Sequence, residues 1–228
     1  MKTRIILLWD IDGTLISAHG SGTAALSDSL KASFGIESTL DHIEIQGRTD
    51  RWIYERMLRA FELPVTQANM DLLERNYLDA LIPQIQARGV DILPGISAIL
   101  EEAHRRGDVA QGLLTGNLIE GARRKMSGLG LMEYFPFGAF ADDAANRNEL
   151  GPKAVERARR HCGEEVPLER IWVIGDTPHD VTCGKTAGAR TLAIATGKVP
   201  LSRLRECSPC AAFEDLSDTA AFWRAVES

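Results

Sequence analysis

The sequence predicts a three-layer α/β fold, a parallel sheet with helices on both faces, interrupted early by an all-helical insert. Three observations carry this. The run Arg4 to Trp9 is continuously apolar after its first residue and stops at Asp10, as a strand buried on both faces does. From Leu93 to the end, helix-like and strand-like stretches alternate, which is the pattern of helices crossing between parallel strands. Between about Gly20 and Gly89 only helical spacing occurs, so that stretch must stand outside the sheet.

The elements follow in order. "TAALSDSLKASFG", "TDRWIYERMLRAFEL" and "TQANMDLLERNYLDALIPQIQARG" each place apolar residues three and four apart and end in Gly or meet Pro. After them, "PGISAILEEAHRRG" reads as a helix, "VAQGLLTGN" as a strand and "EGARRKMSGLG" as a helix. "FPFGAFADD" is a short strand, "GPKAVERARRHCG" a helix and "RIWVIGD" a strand ending in Asp. "DVTCGKTAGA" is a helix, "RTLAIATG" a strand, and "LSDTAAFWRAVES" a closing helix. The expected division is a core of residues 1–16 and 92–228 with a helical cap at 17–91.

Composition narrows the function classes. The 228 residues are 44% hydrophobic and 25% charged, with a formal net charge of −6, so wholesale binding to nucleic acid or to an anionic membrane is not expected. Asp10 cuts the N-terminal apolar run before it could serve as a signal-peptide core, and no segment approaches the ~20 apolar residues of a membrane span. Cys162, Cys183, Cys207 and Cys210 do not make a disulfide framework, which points to a reducing cytoplasm. "CSPC" lacks the second close pair that a structural zinc site needs. No face reads as a dimer seam, so the expectation is a monomer or a homodimer.

In an open parallel sheet, ligands bind beyond the carboxyl ends of the strands. The residues falling there are Asp10 and Asp12, Thr115, and Asp176, with Asp180 one turn further on. Lys153 is placed in the first turn of the helix opened by Gly151 and Pro152. Side chains two apart on an extended chain point the same way. Asp10 and Asp12 with Asp176 thus form a ring of hard oxygen ligands suited to Mg²⁺, which would offset their repulsion and keep Asp10 ionised. An ionised carboxylate held against an electrophile is a nucleophile, and Asp12 is near enough to give and take a proton. Gly13 permits a sharp turn, Thr115 with the N–H groups of Gly116 and Asn117 supplies donors at a helix start, and Lys153 supplies a point charge. Together these parts describe phosphoryl transfer.

"DIDGTL", "LLTGN", "GPK" and "GDTPHD", in that order, resemble the four motifs of the haloacid dehalogenase-like hydrolase superfamily. The chain is most similar to its phosphoglycolate phosphatase-like subgroup, and the resemblance extends to the helical cap. It implies a Rossmann-like core, with Asp10 as nucleophile and metal ligand and Asp12 as acid/base and metal ligand through its carbonyl. It further implies Thr115 and Lys153 as phosphate binders, Asp176 as a metal ligand and Asp180 as support for the metal. The implied partner is a small phosphorylated metabolite, phosphoglycolate-like or a phosphosugar.

Further residues are weighed more evenly. Arg48, before a cap helix, could reach a second anionic group on the substrate or stand in solvent; for Arg51 the solvated reading is preferred. His19 falls where the chain leaves the core, and Gly20 with Gly22 would suit a hinge. A 2-haloacid dehalogenase would share the nucleophile, but a halide leaves without a proton and needs no acid at Asp12. A phosphonate hydrolase of this family would want a cap lysine, and Lys31 carries no mark of one. A phosphosugar mutase shares every core residue. A phosphate-binding module without activity should have lost a core residue, and none is missing. Receiver domains also pair Asp, Thr and Lys, but Asp176 follows both Thr115 and Lys153, the wrong order for one.

Overall fold

The computed structural model describes residues 4–163 and 165–228; the first three residues of the expected core lie outside them. The strands are β1 (Ile5–Trp9), β2 (Ile16–Ser17), β3 (Asp91–Ile92), β4 (Val109–Leu114), β5 (Gly138–Ala139), β6 (Ile171–Gly175), β7 (Arg190–Ile194) and β8 (Ala211–Phe213). The helices are α1 (Ser21–Phe34), α2 (Asp50–Ala60), α3 (Gln67–Arg88), α4 (Ile96–Arg105) and α5 (Ile119–Lys125). They continue with α6 (Leu150–Cys162), α7 (Pro178–Thr186), α8 (Leu201–Glu206) and α9 (Thr219–Glu227).

Six strands form one parallel sheet in the order β5-β4-β1-β6-β7-β8. The central strand shows why its sequence is apolar throughout. Ile5, Leu7 and Trp9 face a cluster with Ile99, Leu100, Phe222 and Trp223, whereas Ile6 and Leu8 face Leu150, Ala154 and Ala158 of α6. All five residues of β1 are fully buried. Each such aliphatic side chain contributes about 1.5–3 kcal/mol. The Trp9 ring stacks on Phe222, with centroids 5.8 Å apart.

The chain leaves and re-enters this core through β2 and β3, which pair antiparallel, Ile16 opposite Ile92. Between them stand α1, α2 and α3, packed on a separate cluster that includes Leu26, Leu30, Ile53, Met57, Leu73 and Leu81. Their ends are chemically marked. Thr49 and Thr66 cap α2 and α3 by accepting from the N–H groups of Trp52 and Asn69, and Gly35 closes α1 at φ 71°. The insert is seated on the core at one point in particular. The Asp50 N–H donates to the Gly116 carbonyl (2.7 Å), and the Leu118 N–H donates to the Asp50 carboxylate (2.7 Å).

Four elements depart from the sequence reading, the two-residue strands β2 and β3 that join insert to core among them. β8 and α8 are also absent from that reading: β8 is three half-buried residues at the sheet edge, and α8 is six residues, too short to show a period. No helix among the described residues is long and apolar enough to cross a membrane.

Candidate active site

The carboxyl end of β1 carries the first carboxylate. The Asp10 N–H still donates to Ile174 of β6 (2.9 Å), so Asp10 is fixed as the last ladder residue. The chain then turns. The N–H groups of Leu15 and Ile16 return to the Ile11 carbonyl (2.9 and 3.1 Å), and Gly13 adopts φ 77°. Glycine is required there twice over, since a side chain would be strained and its Cβ would overlap the Asp176 carboxylate.

Asp176 ends β6, and Thr177 caps α7 in a reciprocal capping box with Asp180. The Thr177 N–H and hydroxyl both donate to Asp180 Oδ2 (2.9 and 2.7 Å), which aims the other oxygen at the sheet edge. Asp10, Asp176 and Asp180 each offer a carboxylate oxygen within 4.8 Å of one another, and all are buried. Burial pushes the Asp10 carboxyl up to about 6 despite the opposing pull of Arg147. Burial, with Asp180 and Asp10 nearby, raises Asp176 well above the usual carboxylate range. Three crowded, dry, hard oxygen donors with one organic cation between them fit a divalent cation such as Mg²⁺. The Asp12 carboxylate turns away from this cluster, so a contribution from Asp12 would come through its carbonyl, as the resemblance implied.

The cation beside Asp10 is Arg147, on the 3-10 turn just before α6. It is 6% exposed; Nη2 lies 3.3 Å from Asp10 Oδ1 and donates to Asp180 Oδ1. Lys153, expected in this place, lies outside the crevice. It is half-buried on α6, near Asp143. The reason is helical phase: α6 starts at Leu150 and buries Leu150, Gly151, Ala154, Val155 and Ala158, and Lys153 falls off that stripe.

Thr115 is fully buried at the end of β4, and its hydroxyl meets the Asp10 carboxylate. Gly116 lines the cavity below the insert. Asn117 is differently employed from the expectation: its N–H donates to Thr115 Oγ1 (3.3 Å), so it turns inward. Its Nδ2 donates to Thr115 Oγ1 and to Asp12 Oδ2, both at 2.9 Å.

Sequence reasoning missed Lys125 as well as Arg147. The Lys125 ammonium, on the last residue of α5 and 5% exposed, donates to Asp12 Oδ2 and Asn117 Oδ1, both at 2.6 Å. A signal was present: in "LIEGARRKM", Lys125 shares the helical stripe of Leu118, Ala122 and Met126.

Asp10, Asp12, Gly116, Asn117, Lys125, Arg147 and Asp176 line a cavity of 420 Å³ between the sheet edge and the insert, whose wall includes Leu26, Ile53 and Tyr77. Arg48 borders it, but its guanidinium is engaged with Glu44 (2.5 Å) and lies 4.3 Å over the Trp52 ring. His19 stands at the rim and pairs with Asp91 of β3 (2.8 Å), beside Gly20 at φ 79°.

Residues 7–185 match the model of the haloacid dehalogenase-like hydrolase family. The chain is 26% identical to a phosphoglycolate phosphatase of Aquifex aeolicus over 199 residues, covering 86% of this chain and 87% of that one. It is 23% identical to the pyrophosphatase PpaX of Oceanobacillus iheyensis over 225 residues, covering 96% and 95%. The structure of a hydrolase from Pseudomonas syringae superposes with a TM-score of 0.76 at 19% identity, covering 97% and 98%. The chain therefore belongs to the haloacid dehalogenase-like hydrolase family, as an enzyme of the phosphatase kind.

Proposed function

We propose that the protein hydrolyses a small phosphate monoester through an aspartyl phosphate on Asp10. The observation that carries this is the pairing of two unlike carboxylates at one strand end. Asp10 is buried among Arg147, Thr115 and the Asp176 and Asp180 carboxylates, whereas Asp12 opens on the cavity with Oδ2 held by Lys125 and Asn117.

The phosphoryl group would sit over Asp10, with Arg147 balancing charge on its oxygens. Asp10 attacks phosphorus in line; the bond from phosphorus to the ester oxygen breaks, and Asp12 gives that oxygen a proton. Asp12 then takes a proton from the water that attacks the phosphoaspartate, releasing phosphate and restoring Asp10. Mg²⁺ bound by Asp10, Asp176 and the Asp12 carbonyl, with Asp180 in support, would add positive charge against the phosphoryl oxygens. The helical insert acts as a cap that shuts bulk water out during the first step. A 420 Å³ cavity suits a substrate of metabolite size, phosphoglycolate-like or a phosphosugar.

The test is phosphate release from phosphoglycolate, hexose phosphates, glycerol phosphate and p-nitrophenyl phosphate, with Mg²⁺ and with a chelator. Release that needs the metal and is lost in Asp10→Asn is the expected result. Release that survives Asp10→Asn would defeat the proposal.

A further inference from the structure

We propose that Lys125 is the positioning residue for the acid Asp12, and that Tyr77 of the helical insert braces Lys125, tying the aim of the acid to the seating of the insert. This rests on the reading of Asp12 as proton donor. Two N–H groups of the Lys125 ammonium donate at 2.6 Å each, to Asp12 Oδ2 and to Asn117 Oδ1, and the Tyr77 hydroxyl stands near it on the side of the insert. The crowding is tight enough that a Cβ on Gly22 of α1 would meet Lys125 Nζ at 3.4 Å and the Tyr77 oxygen at 3.9 Å. The insert thus closes over the ammonium from α1 and α3 together, and Asp50 of α2 adds a buried carboxylate nearby.

The consequence lies in which oxygen of Asp12 can work. Oδ2 accepts from Lys125 and from Asn117 Nδ2 at once, so it has no room for a proton of its own. Oδ1 takes no donor from the described residues, and the side chain is 43% exposed, toward the cavity. A proton carried by Asp12 therefore resides on Oδ1, facing the leaving oxygen. Without Lys125 the carboxyl can rotate and present either oxygen in either protonation state. With Lys125 held by Asn117 and crowded by Gly22 and Tyr77, the rotation is stopped from the insert's side.

Leaving-group dependence separates this role from a merely structural one. The bound enzyme must protonate an alkoxide, but p-nitrophenolate departs unaided. For Lys125→Met, kcat/KM on the best alkyl ester of the panel should fall about 10²-fold, within the range general acids supply. On p-nitrophenyl phosphate the fall should be under about tenfold, below that same range. Tyr77→Phe, which keeps the ring in its place, should show the same selectivity at smaller size, and it decides the matter if Lys125→Met does not fold. Equal losses on both esters, or no loss on either, would overturn the inference while leaving the phosphatase reading intact. A wild type that releases phosphate from no ester would instead overturn that reading and this one with it.

Discussion

Arg147 and Lys153 are six residues apart, and only one of them can be the cation that the chemistry needs. Arg147→Met removes the guanidinium from between Asp10 and Asp180, leaving two buried carboxylates without their counter-charge. Breaking a buried ion pair from one side costs roughly 3–5 kcal/mol. At about 2–4 °C per kcal/mol for a chain of this size, the variant should melt roughly 10 °C lower. Phosphate release should fall further than folding explains. A lost donor to developing charge costs about 10²–10³ in kcat. Added Mg²⁺ should restore part of the melting temperature, because it supplies positive charge to the same carboxylates, but not the turnover. Lys153→Ala is the control. Lys153 is half-buried and outside the cavity, so stability should change by no more than about 0.5 kcal/mol and turnover by no more than about twofold. Thermal melts and steady-state phosphate release on the two purified variants decide it. A Lys153→Ala variant as impaired as Arg147→Met would refute the reasoning.

Other outcomes follow from the seat of the insert. Gly116→Ala puts a Cβ into the Arg48 carbonyl; overpacking of this kind costs about 1–3 kcal/mol. It should loosen the insert, seen as faster proteolysis within residues 44–50 and a lower kcat/KM. Burial pushes the Asp50 carboxyl up to about 6, from an ordinary 3.8. A raised carboxyl stabilises the fold below its ordinary value, and that contribution is lost as pH climbs through about 6, to a total of about 3 kcal/mol. Asp50→Asn keeps an acceptor for the Leu118 N–H. Its melting temperature relative to wild type should therefore rise between pH 4 and pH 7, and a flat difference would contradict the assignment.

The parts of the site carried by strand ends were readable in the sequence, because strand ends announce themselves. An apolar run that stops at a polar residue fixes both the strand and the position just past it, which gave Asp10, Thr115 and Asp176, with Asp12 two residues after Asp10. Groups whose position depends on helical phase or on a loop were not. Lys153 lies in the right element but on the wrong side of α6, and a shift of one residue turns a helix face by about 100°. Arg147 sits in "DDAANRNEL", a loop with no period to place it. Lys125 was concealed within a basic triplet, where a solvated face is the natural reading, and only its register with Ala122 and Met126 gives it away. Arg48, weighed evenly between an anionic group of the substrate and solvent, borders the cavity with its guanidinium engaged by Glu44, four residues back. The anchor at Asp50 needed tertiary contacts across many residues, which no local pattern encodes.

The central claim is that Asp10 carries the phosphoryl group. The most direct measurement is acid quench of the enzyme during turnover of a ³²P-labelled ester, with the labelled peptide identified. The account predicts label on the peptide containing Asp10, stable in acid, released by hydroxylamine as an acyl phosphate is, and absent from Asp10→Asn. Label on another residue, or an Asp10→Asn variant that turns over at the wild-type rate, would contradict it.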